Sequence, residues 1–589
     1  MGDTARNRGL FAELKRRNVF RAGALYAAAA WALAQGIAQL GPPFGLPDWV
    51  TRWFVIACTI GFPFWIAFAW FYELTPQGIK RESEIERSQS ITRQTGRKLD
   101  YSIMAVLAAA VVLLLTNRVV PRRAADQPAV ATFNPPADSI VVLPFANLND
   151  DPKQKYFSDG FTEELTDALG QNTRLTVLAW ETASKFASGE QSPGQIGRTL
   201  NVAHILDGSI QREGKQIRIS AELVSTVSGR QLWSTHYDDS VKNIFKVQDK
   251  ISAAIAEALR VKFAGMRNAH AVNPQAYDWL LLGMAAMESY TEDRIEDARK
   301  DFANAIAIDP DYADAYANLG RTYLISAIVG SLPLEAALPQ MRAAANRALA
   351  LDPDNAPAWV DLGLADSNSG HIAQARRDYQ RALALDPSNA TAHLDFGTIL
   401  PVKDGLAQDQ LAVMLDPLSW GARYNLASNY LDLGEYRQVT ATALDMIKIS
   451  PQQIDAAFDL AFADRQLHMD DAAVAAFDLV KPTDETSQQL VEAARLTYQS
   501  LLDRESRRQA LAALKRLRQA KPNLSVQCNL TQLYLALGEK QTALQMLPGI
   551  CAGGPVVCFD LALNPIYAPL RGDPRFERLS ARYSFITLQ

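Results

Sequence analysis

The feature that most constrains this 589-residue chain is a recurrence near 34 residues that begins at about residue 276. Asp-Pro closes a unit at Pro310, Pro353, Pro387 and Pro417, and Ser-Pro closes one at Pro451. The steps 353 to 387 and 417 to 451 are both 34 residues; 310 to 353 is longer by an insertion and 387 to 417 is shortened. Within each unit small residues (Gly283, Gly320, Gly363, Ala375) alternate with aromatic and aliphatic ones (Tyr316, Leu319, Trp359, Leu362, Tyr379). The small positions let two helices of a pair approach closely, the large ones fill the gap to the next pair, and proline stops the second helix. One pair cannot bury its apolar stripe alone, so the pattern predicts a stack of six to eight helix pairs over 276–550, closed by a cap at 551–589.

Trp359, Leu362, Gly363, Gly370, Ala375, Tyr379, Ala382 and Pro387 match the tetratricopeptide pattern position by position, so this half of the chain resembles a tetratricopeptide superhelix. The resemblance implies a groove lined by the first helix of each pair, and a protein or peptide as its partner. Candidate groove residues are Arg321, Leu324, Val360, Leu364, Tyr424 and Leu431, a mostly apolar set with one cation. The Lys and Asn of the carboxylate-clamp type are missing. Two readings of this surface stay open: a site for an extended partner, or a surface covered by the chain's own preceding domain.

Residues 139–265 carry a different period. Ser139–Phe145 is a short apolar run suited to a buried strand. Phe157, Phe161, Leu165 and Leu169 recur every four residues, predicting a helix with Ser158 and Asp159 as candidate caps, so that Asp159, Glu163 and Glu164 meet the positive end of its dipole. Leu175–Trp180 reads as a second strand, followed by a helical segment around Pro193–Leu200. Ile217, Ile219, Ala221 and Leu223 alternate with polar residues between the Glu213-Gly214 and Ser228-Gly229 turns, the signature of half-buried antiparallel strands. A closing helix carries Ile244, Val247, Ile251, Ile255 and Leu259. The expected order is β-α-β-(α)-β-β-β-α, behind a linker at 119–138 with four prolines.

The stretches SIVVLPFANLNDDPKQKYFSDGFTEELTDAL and HILDGSIQREGKQIRISAELVSTVSGRQLWSTHYD resemble the TolB-like amino-terminal domain of bacterial envelope and signalling proteins. Phe11–Ala22 and Phe71–Asp100 resemble the membrane module that precedes it. TolB itself continues into a β-propeller, and no such strand-rich repeat follows residue 270, so no role in the Tol–Pal system is implied.

Residues 1–118 read as a membrane anchor. Three low-charge runs, at about 22–40, 53–72 and 101–117, approach or reach the ~20 residues a bilayer core requires. The first 123 residues hold 16 Lys and Arg against 8 Asp and Glu, concentrated before the first run and between the second and third. Basic loops stay inside, which predicts an amino terminus in the cytoplasm and everything after about residue 118 in the bacterial periplasm. The expected fold class is therefore multi-domain: three amino-terminal transmembrane helices, a small α/β TolB-like domain, and an all-α tetratricopeptide solenoid.

Catalytic signatures are missing. There is no phosphate-binding glycine loop, no H-E-x-x-H and no G-x-S-x-G, and the six histidines never fall at ligand spacing. No metal, cofactor or nucleic-acid partner is expected. Two of Cys528, Cys551 and Cys558 are candidates for one disulfide. The expected function is a non-enzymatic inner-membrane scaffold that binds protein partners, with oligomeric state open. The alternative is a transmembrane signalling component related to cyclase- or winged-helix-linked TolB-like proteins, without an output domain of its own.

Overall fold

A computed structural model describes residues 49–75, 78–81 and 133–583, apart from short gaps at 150, 152–153, 187–190, 262–272, 290, 504, 521 and 553–560, together with Gly23, Tyr26, Ala27, Ala29, Ala30, Trp31, Leu33 and Ala34. The chain divides into two compact units, Met1–Val130 and Ala131–Gln589.

In the first unit, helix Trp49–Phe71 leads into a hairpin of β1 (Tyr72–Thr75) and β2 (Gly78–Arg81). The Tyr26 hydroxyl donates to the Cys58 carbonyl (2.9 Å), and its ring lies 5.8 Å from those of Phe62 and Trp65. The three-span anchor is corrected here: among the described residues no helix is long and apolar enough to cross a membrane. The run at 101–117 and most of 22–40 lie outside the described residues. Among the described residues there is no span to orient, so the charge asymmetry assigns them no topology. The transmembrane fold class, the bilayer as a partner and the periplasmic placement are withdrawn with it.

The second unit opens with a sheet in the order β5-β3-β6-β7-β8, with β4 paired to β6. These are β3 (Ser139–Val142), β4 (Ala146–Asn147), β5 (Thr176–Val177), β6 (His204–Glu213), β7 (Gln216–Ser225) and β8 (Gln231–Ser240). β3 runs parallel to β5 and β6, and all four of its residues are buried, which explains its continuous apolar run. β6, β7 and β8 form an antiparallel meander. Ile217, Ile219, Ala221 and Leu223 face the core under helices Lys155–Gly170 and Ile244–Ala258. Strand period 2 and helix period 3.6 meet there in a two-layer core.

Eight helix pairs follow among the described residues, from Pro274–Met287 with Glu292–Ile308 to Leu524–Ala536 with Lys540–Ala552. The Asp-Pro motif explains their phasing. Helix Leu334–Leu351 ends before Pro353, and the Asn355 side chain then accepts from the Ala358 N–H (3.0 Å) to start the next helix. Asn389 and Ser419 repeat this cap after Pro387 and Pro417. Inside a pair, Gly370, Gly434 and Gly538 adopt φ between 73° and 79° at the turn, a conformation only glycine takes without strain. A Cβ on Gly363 would lie 2.7 Å from the Tyr379 ring, so this small residue sets the helix separation. Past the last pair, Leu561, Leu570 and Phe576 cover Leu544 and Leu547, while Ile566 reaches back to the cluster of Leu431, Val439 and Ala463.

Candidate functional site

The α/β unit packs on the helix stack through a continuous core. Phe157 and Phe245 meet the Tyr277 ring edge-on, each at 5.9 Å, and Gly160 lies so close to Leu281 that a Cβ would approach it to 2.5 Å. The Tyr277 hydroxyl donates to Glu164 (2.6 Å), and Arg212 clamps Asp278 while its guanidinium sits over the Phe157 ring. Farther along, the short helix Trp180–Ala183 inserts against the loops that open successive first helices. The Ala179 N–H donates to the Leu415 carbonyl (2.8 Å). Thr182 donates its hydroxyl to Asp416 (2.5 Å) and accepts from the Leu418 N–H (2.9 Å). Ser388 accepts from the Val177 N–H (3.1 Å). The α/β unit thus faces the part of the groove that holds Arg321 and Val360.

What remains between the two bodies is a cleft of about 590 Å³. One wall carries Lys155, Asp159, Glu163, Asp167, Trp180 and Glu181; the other carries Glu288, Asn318, Arg321, Val360, Asp361 and Asp386. Carboxylates outnumber cations, and burial acts on them. Burial pushes the Asp361 carboxyl up to about 7 even though Arg321 lies 3.5 Å away. Asp386 is pushed up to about 6, also by burial, against the pull of its Ser388 and Asn389 hydrogen bonds. Glu163 is raised well above the carboxylate range by burial and by its neighbours Asp167, Glu181 and Glu288. A surface that holds so much suppressed negative charge favours a cationic ligand over an anionic one.

Of the six candidate groove residues, Arg321 and Val360 line this cleft. Leu324 and Leu364 are half-buried on the same two helices and do not line it. Tyr424 is 41% exposed and stacks on Trp420 (5.2 Å, 15°), away from the cleft, and Leu431 is buried against Val439 and Ala463. The acidic cluster at 159–164 sits elsewhere than expected. Its helix starts at Lys155 behind Gln154, so Ser158 and Asp159 are interior residues rather than caps, and Glu163 and Glu164 face the helix stack instead of a dipole. Leu175–Trp180 is a strand only at Thr176–Val177; Trp180 begins the inserted helix. The signal for that insertion was polar: Thr182, Ser388 and Asp416 are buried hydroxyl and carboxyl groups that find their partners across the interface. Cys551 is disulfide-bonded, Cys528 is half-buried in the same cluster, and Cys558 lies outside the described residues. Among the described residues no group of His, Cys, Asp and Glu is arranged to hold a metal ion.

A protein of Rhizobium meliloti (strain 1021) named as a putative adenylate cyclase is 34% identical over 206 residues, which is 33% of this chain and 35% of that protein. The chain therefore spans about a third of the length of this relative. Among solved structures, PilF of Pseudomonas aeruginosa is similar at 21% identity with a TM-score of 0.30, over 37% of this chain and 96% of that one. A thermophilic TPR protein of Thermus thermophilus is similar at 20% identity with a TM-score of 0.27, over 32% and 98%. Overlaps this partial carry no functional assignment. These comparisons lend the TolB-like resemblance no support. Residues 335–394 match the tetratricopeptide repeat family, and they span the helices whose caps, glycines and aromatics set the 34-residue period. Within the helical array, residues 335–394 are accordingly tetratricopeptide repeats.

Proposed function

We propose that this chain is a non-enzymatic scaffold that takes a protein partner in the cleft between the α/β unit and the repeat array, and that the partner presents Lys or Arg side chains. The observation that carries this reading is the 590 Å³ cleft with its excess of carboxyl groups. In this reading residues 139–265 are a TolB-like unit, 276–550 the repeats and 551–589 the cap; the strand and helix order of the α/β unit supports the first of these. The test is fluorescence anisotropy with labelled Lys/Arg-bearing and Asp/Glu-bearing peptides. Basic peptides are expected to bind, and the double variant Asp167→Lys, Glu181→Lys, at two exposed positions, to weaken them at least tenfold. Equal binding of both peptide classes, or conversion of ATP to a cyclic nucleotide by the purified chain, would defeat the proposal.

A second reading is a regulatory component of nucleotide signalling. The identity shared with the Rhizobium relative named as a putative adenylate cyclase favours it. It requires that the chain, added in trans, change the turnover of a cyclase; no change across a concentration series removes it.

A further inference from the structure

Strand β8, Gln231–Ser240, closes one edge of the sheet: it pairs with β7 on one side and with no strand on the other among the described residues. The phase of the meander fixes which of its backbone groups face outward. Glu213 and Gln216 meet across the two-residue turn between β6 and β7, and the Val241 N–H donates to the Lys215 carbonyl (2.9 Å). By alternation Ile217, Ile219 and Ala221 then bond to Asp239, Tyr237 and Thr235. The residues between them, Ser234, His236 and Asp238, send their N–H and C=O groups away from the sheet, and all three are exposed. Ser240 would extend this row, but its N–H is taken by Asp239 Oδ1 (2.8 Å). At the other end Leu232 is unpaired at a bulge, since Trp233 faces Leu223 while Gln231 faces Val224. These devices blunt only the ends. Between them the edge carries no Lys, no Pro and no irregularity, the features that keep a long edge strand single.

We propose that β8 pairs antiparallel with β8 of a second copy of this chain, about a two-fold axis at His236. In that register Ser234 stands opposite the partner's Asp238, His236 opposite the partner's His236, and Asp238 opposite the partner's Ser234. Each of these pairs exchanges two backbone hydrogen bonds, so every outward group of the row is used. On the other face Thr235 meets the partner's Tyr237 on both sides of the axis, a β-branched residue against an aromatic one. Charge and regularity select this register. An axis at Asp238 sets two carboxylates face to face, and an axis at Ser234 drives the strand into the Leu232 bulge. With the axis at His236, Asp238 faces Ser234 and Asp239 faces Trp233, so no like charges oppose. This self-complementarity favours a second copy over a foreign strand, and a two-fold pairing of one edge closes as a dimer. None of these residues lines the cleft, and the pairing does not depend on the function proposed for it.

The test is sedimentation velocity of the full chain over a concentration series, combined with hydrogen exchange of β8. The unaltered chain is expected to form a dimer, with the Ser234, His236 and Asp238 amides exchanging more slowly as the dimer fills. His236→Lys and His236→Glu each place like charges across the axis and are expected to weaken the dimer by roughly tenfold or more, whereas an equimolar mixture of the two variants restores it through opposite charges. The position is exposed and its N–H and C=O face away from β7, so neither change breaks the β7–β8 ladder. His236→Ala, which adds no charge, is expected to keep the dimer. A monomer at every concentration up to about 100 µM, a dimer indifferent to both charged variants, or no recovery in the mixture would overturn the proposal. Slower β8 exchange in a monomeric chain only when an unrelated extended peptide is added would also overturn it, and would assign the edge to a foreign strand.

Discussion

Asp409 offers a sharp test of how burial governs this array. It lies on helix Val402–Leu415, is fully buried, and accepts from Asn429 through Oδ2 (2.5 Å). Its Oδ1 has no hydrogen-bond partner and rests against Gly397, where a Cβ would come within 2.6 Å. Burial pushes this carboxyl from 3.8 up to about 7, opposed only by the Asn429 hydrogen bond. The folded state therefore binds a proton more tightly than the unfolded state does. Stability from this group is fully present below pH ~4 and is lost, at about 1.4 kcal/mol per pH unit, as pH rises towards 7. The loss levels off above pH ~7.5 at roughly 4 kcal/mol, an upper bound because local opening admits water. Asp409→Asn keeps the shape and removes the titration. Urea midpoints of both proteins, taken at half-unit steps from pH 4.5 to 8, should diverge in favour of the variant as pH rises and then run parallel. A difference that stays constant across this range would mean the carboxyl titrates at its ordinary value and the reasoning from burial is wrong.

Other outcomes follow from contacts at the junctions. Gly160→Ala drives a methyl into Leu281 and should cost about 1–3 kcal/mol, read as faster hydrogen exchange in both Lys155–Gly170 and Pro274–Met287. Thr182→Val removes the hydroxyl that bonds to both Asp416 and the Leu418 N–H, at roughly 1–3 kcal/mol, and should expose the Trp180–Ala183 segment to limited proteolysis before the repeats themselves are cut. Gly363→Ala presses on Tyr379 and should lower the unfolding midpoint, whereas the same change at exposed Gly549, which has open space around it, should alter it little.

Most of the repeat array was legible because its signals are local. Asp352-Pro353 ends one helix and Asn355 starts the next within four residues, and Gly363 and Tyr379 touch within one pair. The meander was equally readable, since Ile217, Ile219, Ala221 and Leu223 record a single face by alternation. The cleft was not, because it forms between segments about 200 residues apart. Val177 meets Ser388, and Thr182 meets Asp416, through single polar atoms that leave no periodic trace. Groove numbering gave Arg321 and Val360, which line the cleft, yet it could not reveal that Trp180 would insert there, since Leu175–Trp180 reads equally well as strand. The Ser158-Asp159 cap failed for a related reason: the helix begins a turn earlier, at Lys155, where no capping side chain marks the start. The anchor rested on the length of three low-charge runs and on the resemblance of Phe11–Ala22 and Phe71–Asp100 to a membrane module, and neither made a spanning helix among the described residues.

The shared core around Tyr277 and Leu281 has a consequence for how such an array lengthens or shortens. A stack of helix pairs has two raw ends, each exposing an apolar stripe meant for a neighbour. Here the helix layer of the α/β unit seals the leading end, with Phe157, Phe161 and Phe245 packed where another pair would otherwise stand. Units gained or lost there would tear open two folds at once, whereas the trailing end is closed only by the short segment that carries Leu561, Leu570 and Phe576.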